Sequence, residues 1–194
     1  MASDLDVVNE ALIRLGVPPV SSLSDRTAQS LAAATIFDNK RRELLSDHPW
    51  YFALREATLP KLALEDFDKK FTGYRHAYQL PTDYVRVLGL RSYDYFQLAG
   101  RHLYTNDSKA QLVYVADVGA SAWPSHFRQL MVHELAAAFS MPLTDNTQRA
   151  ELFYGEAQRA RPRARAIDSQ QTPPYVFNLM RVYTRRSHNP LTQA

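Results

Sequence analysis

Apolar residues recur at the spacing of an amphipathic α-helix in four stretches of the chain, two before residue 50 and two after residue 120. The first stretch carries an apolar stripe made of Leu5, Val8, Leu12 and Leu15. Ser3 precedes this stretch as an N-cap residue, and Gly16 ends it. The second stretch is predicted to begin at Ser24 or Asp25 and to run to Asp47.

The two later helices are predicted around prolines. The third helix opens at Trp123-Pro124, because proline suits the first position of a helix. Its apolar stripe consists of Phe127, Leu130, Met131, Leu135 and either Ala138 or Phe139. Pro142 is expected to end this helix. The fourth helix starts between residues 144 and 146, and Pro162 is expected to kink it or end it.

Between residues 50 and 117 the pattern changes to short, aromatic-rich or alternating segments that predict antiparallel strands. These segments are residues 50–54, 74–78, 85–87, 95–98, 102–105 and 111–116. Residues 99–101 and 106–109 are rich in turn-forming residues and predict hairpin turns. Residues 60–71 carry six charges and predict an exposed loop.

Composition narrows the possible classes of protein. The 194 residues are 45% apolar and 22% charged, which is typical of a soluble globular protein with a substantial core. The chain contains no cysteine, so disulfides, thiolate metal ligands and thiol nucleophiles are excluded. No apolar run approaches the roughly 20 residues that a membrane span requires, and the N-terminus lacks the regions of a signal peptide. We therefore expect no membrane partner.

The net charge of +3 is unevenly distributed along the chain. Residues 159–194 hold seven of the 23 Lys and Arg but one of the 20 Asp and Glu, which gives +6 there and −3 in residues 1–158. A basic terminal segment is usually solvated or used for interaction. Charge alone does not distinguish a nucleic acid from an acidic protein surface as its partner.

The sharpest charge run comprises Arg159, Arg161, Arg163 and Arg165. The four arginines occupy every second position. In an α-helix their side chains would point in different directions, whereas in an extended strand they would all lie on one side. One interpretation is a solvated helix end, where cations complement the helix dipole. The other is a contact surface for DNA phosphates or an acidic partner. Charge runs are more often solvated, which favours the first interpretation.

The C-terminal arm, residues 169–194, mixes apolar and basic residues with little chain left to bury them. A short helix built from this segment would be marginal in isolation. We therefore expect the arm either to be disordered when alone or to dock on a partner. The predicted contacts are Tyr175, Phe177, Leu179, Val182 and Tyr183 as apolar anchors, with Arg181, Arg185 and Arg186 for charge complementarity.

No arrangement of residues indicates catalysis. His133-Glu134 lacks the second histidine of a zinc-protease helix, because position 137 is alanine. The six glycines are scattered, which excludes the phosphate-binding and dinucleotide-binding loops. The segment before Trp123 lacks the second glycine of a nucleophile elbow. We predict a protein that is not an enzyme and that uses no metal and no cofactor.

A series of short motifs, taken in order, resembles one family of phage assembly proteins. The motifs are NEALIRLG at 9–16, RRELL at 41–45, HPWYFA at 48–53, YQLPTD at 78–83, WPSHF at 123–127, LAAAFSMPLT at 135–144 and ARAID at 164–168. The resemblance covers residues 3–172 and is to the head-to-tail adaptors, or tail tubular protein A, of short-tailed phages. Related adaptors occur in some long-tailed phages.

The resemblance implies an α+β fold that is mainly α, namely a helical bundle with an inserted small antiparallel β region and an extended C-terminal arm. Residues 1–49 and 119–168 would form the bundle, residues 50–118 the insertion and residues 169–194 the arm. Trp50 and Pro81 would fix turns and packing.

The resemblance also implies a structural virion protein of the neck or tail that is assembled in the host cytoplasm. Such adaptors form a ring, expected to hold twelve copies, between the portal protein and the tail nozzle or tail-completion protein. Double-stranded DNA passes through the lumen without sequence-specific binding during genome ejection. The predicted arm contacts would then bind the portal. The alternative prediction is a basic nucleic-acid-binding module that uses the same arginines.

Overall fold

The computed structural model describes residues 3–25, 27–63 and 73–171. The chain divides into a helical unit, made of Met1–Ala53 and Asp117–Gln171, and a β-rich unit that contains Leu54–Ala116. The fold is α+β, and the β-rich unit is inserted between the two halves of the helical unit. The arm beyond residue 171 lies outside the described residues.

The described part of the helical unit holds four α-helices. They are α1 (Asp4–Arg14), α2 (Ala28–Asp47), α3 (Ser125–Thr144) and α4 (Thr147–Ser169). The start of α1 agrees with its sequence signal, since the Ser3 and Asp6 side chains each accept a hydrogen bond from the other's backbone N–H. The chain turns out of α1 at Gly16, whose φ of +72° is readily adopted by glycine.

The predicted start of α2 was wrong by three or four residues. The helix begins at Ala28, and the Thr27 hydroxyl caps it by accepting the Ser30 N–H at 3.1 Å. The earlier candidate forms a separate turn, in which the Ser22 N–H donates to the Asp25 carboxylate at 3.0 Å. Both segments carry capping residues, and only the later one continues as a helix.

Neither internal proline ends its helix, and for Pro162 a kink is the alternative that the sequence leaves open. Pro142 lies inside α3, which continues to Thr144 and stops where Asp145 adopts a left-handed conformation. Pro162 lies inside α4, which continues for seven more residues to Ser169. Ala157 and Ala164, on either side of Pro162, are both buried. Tertiary packing on both sides of the proline acts against its cost in a helix interior, which is about 3 kcal/mol.

The core of the helical unit is organised around an aromatic cluster. Trp50 is fully buried and meets the Phe127 ring edge-on at 4.9 Å, and Trp123 meets the same ring at 5.1 Å. The indole Nε1–H of Trp50 donates to the Leu44 carbonyl at 2.7 Å. Phe37 of α2 completes the cluster at 6.1 Å from Trp123. The turn that follows α2 is therefore held against α3.

The described part of the β-rich unit contains two three-stranded antiparallel sheets. The strands are β1 (Leu54–Thr58), β2 (His76–Gln79), β3 (Tyr84–Leu90), β4 (Phe96–Ala99), β5 (His102–Thr105) and β6 (Gln111–Ala116). One sheet has the order β1-β6-β3 and the other has the order β2-β5-β4. The central strand β6 is buried over all but its first residue, which explains its continuous apolar sequence.

The two predicted hairpin turns have different outcomes. Gly100 and Arg101 join β4 to β5 as a hairpin, in which Ala99 lies opposite His102 and Gly100 has a φ of +57°. Residues 106–109 do not form a hairpin, because β5 and β6 belong to different sheets. This segment instead connects β5, the central strand of one sheet, to β6, the central strand of the other.

Two further predictions in this region need correction. Residues 51–53, predicted as part of a strand, form a 3-10 turn, and β1 begins at Leu54. The predicted exposed loop is indeed exposed at residues 60, 61 and 63, but its start is paired with β2, since the Pro60 carbonyl accepts the Gln79 N–H at 3.0 Å. The rest of that loop, residues 64–71, lies outside the described residues.

Replacing Trp50 by Phe is expected to lower the free energy of unfolding by about 2 kcal/mol, because it removes a buried hydrogen bond and leaves a void. Urea denaturation followed by circular dichroism measures this loss. The control is Tyr51→Phe, whose side chain is 42% exposed and should change stability by less than about 0.5 kcal/mol. Equal effects of the two substitutions would contradict the central role of Trp50.

Candidate functional site

The predicted contact residues fall into two groups. The predicted arm contacts, between residues 175 and 186, lie outside the described residues. The four arginines of the charge run all lie on α4. Each residue of an α-helix is rotated by about 100° from the one before it, so residues two apart lie on nearly opposite sides and residues four apart lie on the same side. Arg159 and Arg163 therefore share one side of α4, and Arg161 and Arg165 share another. The structure gives these two pairs different surroundings.

Arg161 compensates a buried carboxylate on α3. Glu134 is 4% exposed, and Arg161 forms a two-pronged ion pair with it, through Nε and through Nη2 at 2.9 Å. The same guanidinium reaches Glu43 at 3.2 Å and Asp47 at 3.6 Å, both on α2. Lys40 lies 3.7 Å from Glu134 and 2.8 Å from Glu43. This cluster links three helices.

The charge cluster shifts the pKa of its members in opposite directions. The hydrogen bond to Glu134 raises the pKa of Arg161 above its ordinary value. Burial alone would raise the pKa of Glu43, but hydrogen bonds and charges from Lys40 and Arg161 lower that pKa below its ordinary value. Both shifts favour the charged forms. Arg165 also joins the cluster through an ion pair with Asp47, so the Arg161 side of α4 is engaged within the chain.

A second buried carboxylate stands near the end of α4. Asp168 is 2% exposed and accepts a hydrogen bond from the backbone N–H of Tyr51 at 3.0 Å. The Nε2 atom of His126 lies 3.4 Å from one carboxylate oxygen, and Nε2 of His48 lies 3.6 Å from the other. Burial alone would raise the pKa of Asp168, but contacts with His48, Tyr51 and His126 lower it below its ordinary value.

The opposite pair of arginines borders a shallow groove between α3 and α4. The groove has a volume of about 230 Å³, and Arg159 and Arg163 lie at its edge together with His133 and Glu156. Both arginines are exposed, and neither forms an ion pair with the residues that the structure describes. His133 Nδ1 is 3.3 Å from a Glu156 oxygen. This side of α4 is therefore open and carries more positive than negative charge, with two arginines beside one glutamate.

The described residues contain no assembly suited to metal chemistry. No group of three His, Asp or Glu that could hold a metal ion occurs among them. Of the adjacent residues His133 and Glu134, the carboxylate of Glu134 is paired with Arg161, and His133 lies 3.3 Å from Glu156. Within the same ranges, no helix has the length and apolar character needed to cross a lipid bilayer.

Sequence reasoning missed the two buried carboxylates and the histidines around Asp168. A signal was present, because Glu134 interrupts a run of apolar residues and Asp168 directly follows Ile167. A charged residue inside an apolar stripe requires a partner when it is buried. The partners lie far away along the chain, so local patterns do not identify them.

Comparison with known protein families gives no match, and comparison with curated proteins finds no significantly similar one.

Replacing Arg161 by Met should lower the free energy of unfolding by roughly 2–3 kcal/mol, because it leaves the Glu134 carboxylate buried without its main partner. The matched control on the same helix is Arg163→Met, which should cost less than about 0.5 kcal/mol because the side chain is exposed. The double variant Arg161→Met, Glu134→Leu should recover part of the loss in urea denaturation. If both single variants cost the same, the proposed role of the buried pair is wrong.

Replacing Asp168 by Asn should destabilise the protein by roughly 2 kcal/mol at pH 7. Because the folded pKa of Asp168 is lowered, the stability it contributes is present above its unfolded pKa and is lost as the pH falls through the folded pKa. The difference between the wild type and the variant should therefore narrow below about pH 4. Denaturation curves between neutral and acidic pH test this, with the exposed Asp38→Asn as control. A constant difference down to acidic pH would rule out the assignment.

Proposed function

We propose that this chain is a head-to-tail connector adaptor, a subunit of a ring that joins the portal of a phage head to its tail. The observation that carries the proposal is the meeting of three of the resemblance motifs at one buried carboxylate. His48 and Tyr51 belong to the HPWYFA motif, His126 to WPSHF and Asp168 to ARAID, and the first three contact the Asp168 carboxylate. These three motifs therefore stabilise the same buried carboxylate, although they lie far apart in the sequence.

The contacts of the motif residues support a structural role over a catalytic one. Trp50 is enclosed by aromatic rings, and Glu43 of the RRELL motif is paired with Lys40 and Arg161. These contacts hold helices together, which is what a structural role requires. A rigid subunit of this kind suits a ring, whose copies meet through head-to-tail contacts that close by rotation. In the proposed assembly the four helices form the adaptor bundle, and twelve copies surround a lumen for double-stranded DNA.

The proposed portal contact is the arm. The last described residues follow directly on the turn fixed by Asp168, so the arm would start from a firmly held point of the helical unit. Its aromatic and arginine residues are of the types enriched at protein interfaces. In this proposal the arm binds the portal, while the tail nozzle or tail-completion protein binds elsewhere on the ring.

The second candidate is a nucleic-acid-binding module. The observation that favours it is the exposed pair Arg159 and Arg163, which together with the basic arm offers positive charge to phosphates. Such a module would bind DNA tightly and with a steep dependence on salt. An adaptor lumen would bind DNA weakly, because the DNA must slide through it.

Removal of residues 173–194 should abolish portal binding while leaving the helical unit folded. The test is co-expression with the portal protein encoded in the same genome, followed by negative-stain imaging of the purified complex. The full chain should add a second tier to the portal ring, and the truncated chain should not. The unfolding transition of the truncated chain should match that of the full chain.

The matched control is a shorter truncation that removes only residues 187–194 and keeps all eight predicted arm contacts. It should add the second tier as the full chain does. Portal rings that lack the tier, obtained with well-folded full chain, would contradict the connector proposal. A tier formed equally well without residues 173–194 would contradict the arm assignment alone.

A further inference from the structure

The groove between α3 and α4 differs from the rest of the α4 surface in its unbalanced charge. Arg159 and Arg163 are one helical turn apart, which places their side chains as neighbours on the same side. The acidic residue that lines the groove, Glu156, lies against His133 at 3.3 Å. The other two arginines of the run have carboxylate partners on α2 and α3. Two guanidinium groups are thus left to pair with carboxylates from outside the described chain.

The buried residues that line the groove are two apolar side chains and the imidazole of His126. The apolar pair is Leu130 of α3 and Ala164 of α4, and Ala160 lies one turn before Ala164. Ile167 also lines the groove and is 38% exposed, so part of its apolar surface is accessible there. The small alanines leave room for an incoming side chain between the helices. The groove therefore combines apolar residues with a basic edge.

The apolar residues and the arginines of the groove together favour one kind of ligand over others. A DNA backbone could pair with the arginines but has no apolar group to place on Ala160 and Ile167. The chain's own C-terminal arm is apolar but basic, and Arg181 and Arg185 would meet like charge at Arg159 and Arg163. An amphipathic protein segment that carries carboxylates beside an apolar side chain matches both parts of the groove.

We propose that the α3–α4 groove is a docking site for an acidic, amphipathic segment of a partner protein. An apolar side chain of that segment packs over Ala160 and Ala164 and against Ile167. Two of its carboxylates, spaced one helical turn apart, pair with Arg159 and Arg163. The groove is defined by contacts of the helical unit alone, so this inference does not depend on the connector role or on the arm.

The test uses the full chain and a synthetic helix-forming peptide of about 16 residues, long enough to be partly helical in water. The peptide carries leucines along one side and two glutamates at i and i+4 beside them, with a fluorescent label for anisotropy. We expect saturable binding at low ionic strength that weakens as NaCl rises from about 50 to about 500 mM. The double variant Arg159→Glu, Arg163→Glu should bind on the order of tenfold more weakly.

Two controls make the result specific to the groove. The double variant Arg75→Glu, Lys109→Glu makes the same change of charge at exposed positions of the β-rich unit and should bind like the wild type. A peptide with lysines in place of the glutamates should bind the Arg159→Glu, Arg163→Glu variant better than the wild type. Circular dichroism establishes that every variant is folded, which the exposure of the changed residues leads us to expect.

Several outcomes would overturn the proposal. One is the absence of peptide binding to the wild type, and another is equal binding to the wild type and the Arg159→Glu, Arg163→Glu variant. A third is that a DNA duplex of about 20 base pairs binds the wild type, loses binding in the Arg159→Glu, Arg163→Glu variant, and the peptide does not bind. That result would assign the groove to nucleic acid. The portal experiment changes the arm and leaves the groove intact, whereas the peptide experiment changes the groove and leaves the arm intact. A failure of the connector proposal can therefore be told apart from a failure of the groove proposal.

Discussion

The buried carboxylate of Asp168 is the constraint on which the helical unit depends. A charged group removed from water costs several kcal/mol unless partners surround it. Its partners come from two separate places in the chain: His48 and the Tyr51 N–H from the segment after α2, and His126 from the start of α3. Satisfying this one group therefore fixes the end of α4 against the other two elements. The point from which the C-terminal arm departs is fixed by the same contacts.

Glu134 imposes a second constraint of the same kind and determines which side of α4 is available. Its carboxylate recruits Arg161 and, with Glu43 and Asp47, closes that side with ion pairs. These pairs hold α2, α3 and α4 together. The opposite side, with Arg159 and Arg163, remains open to a partner. The arginine-rich part of α4 is thus structural on one side and suited to interaction on the other.

The inserted β-rich unit is attached to the helical unit through well-packed segments at both ends. On the outgoing side, Trp50 is buried in the aromatic cluster three residues before the helical unit ends at Ala53. On the returning side, Asp117 is the first residue of the helical unit again, and its carboxylate lies 2.9 Å from Nε of Arg41. Because both attachment points are held by contacts within the helical unit, that unit can fold as one body although its sequence is interrupted.

The sequence by itself determined the features whose causes are local. The Ser3 cap, the turn at Gly100 and the strands at residues 102–105 and 111–116 follow from neighbouring residues, and the α+β class follows from their succession. Local rules were insufficient at Pro162, where packing on both sides of the proline keeps α4 intact. They also failed at residues 106–109, because the pairing of β6 with β1 and β3 places it in a different sheet from β5.

The arginine run shows most clearly what only the tertiary structure decided. Four arginines at alternate positions are equivalent in sequence, but Arg161 pairs with Glu134 on α3 and with Glu43, 118 residues away. Arg159 and Arg163 face the groove instead. The helical period sorts the arginines into two pairs, but the acidic partners of one pair arrive only when α2 and α3 pack against α4. Electrostatic surroundings depend on distance in space, and separation along the sequence does not reveal them.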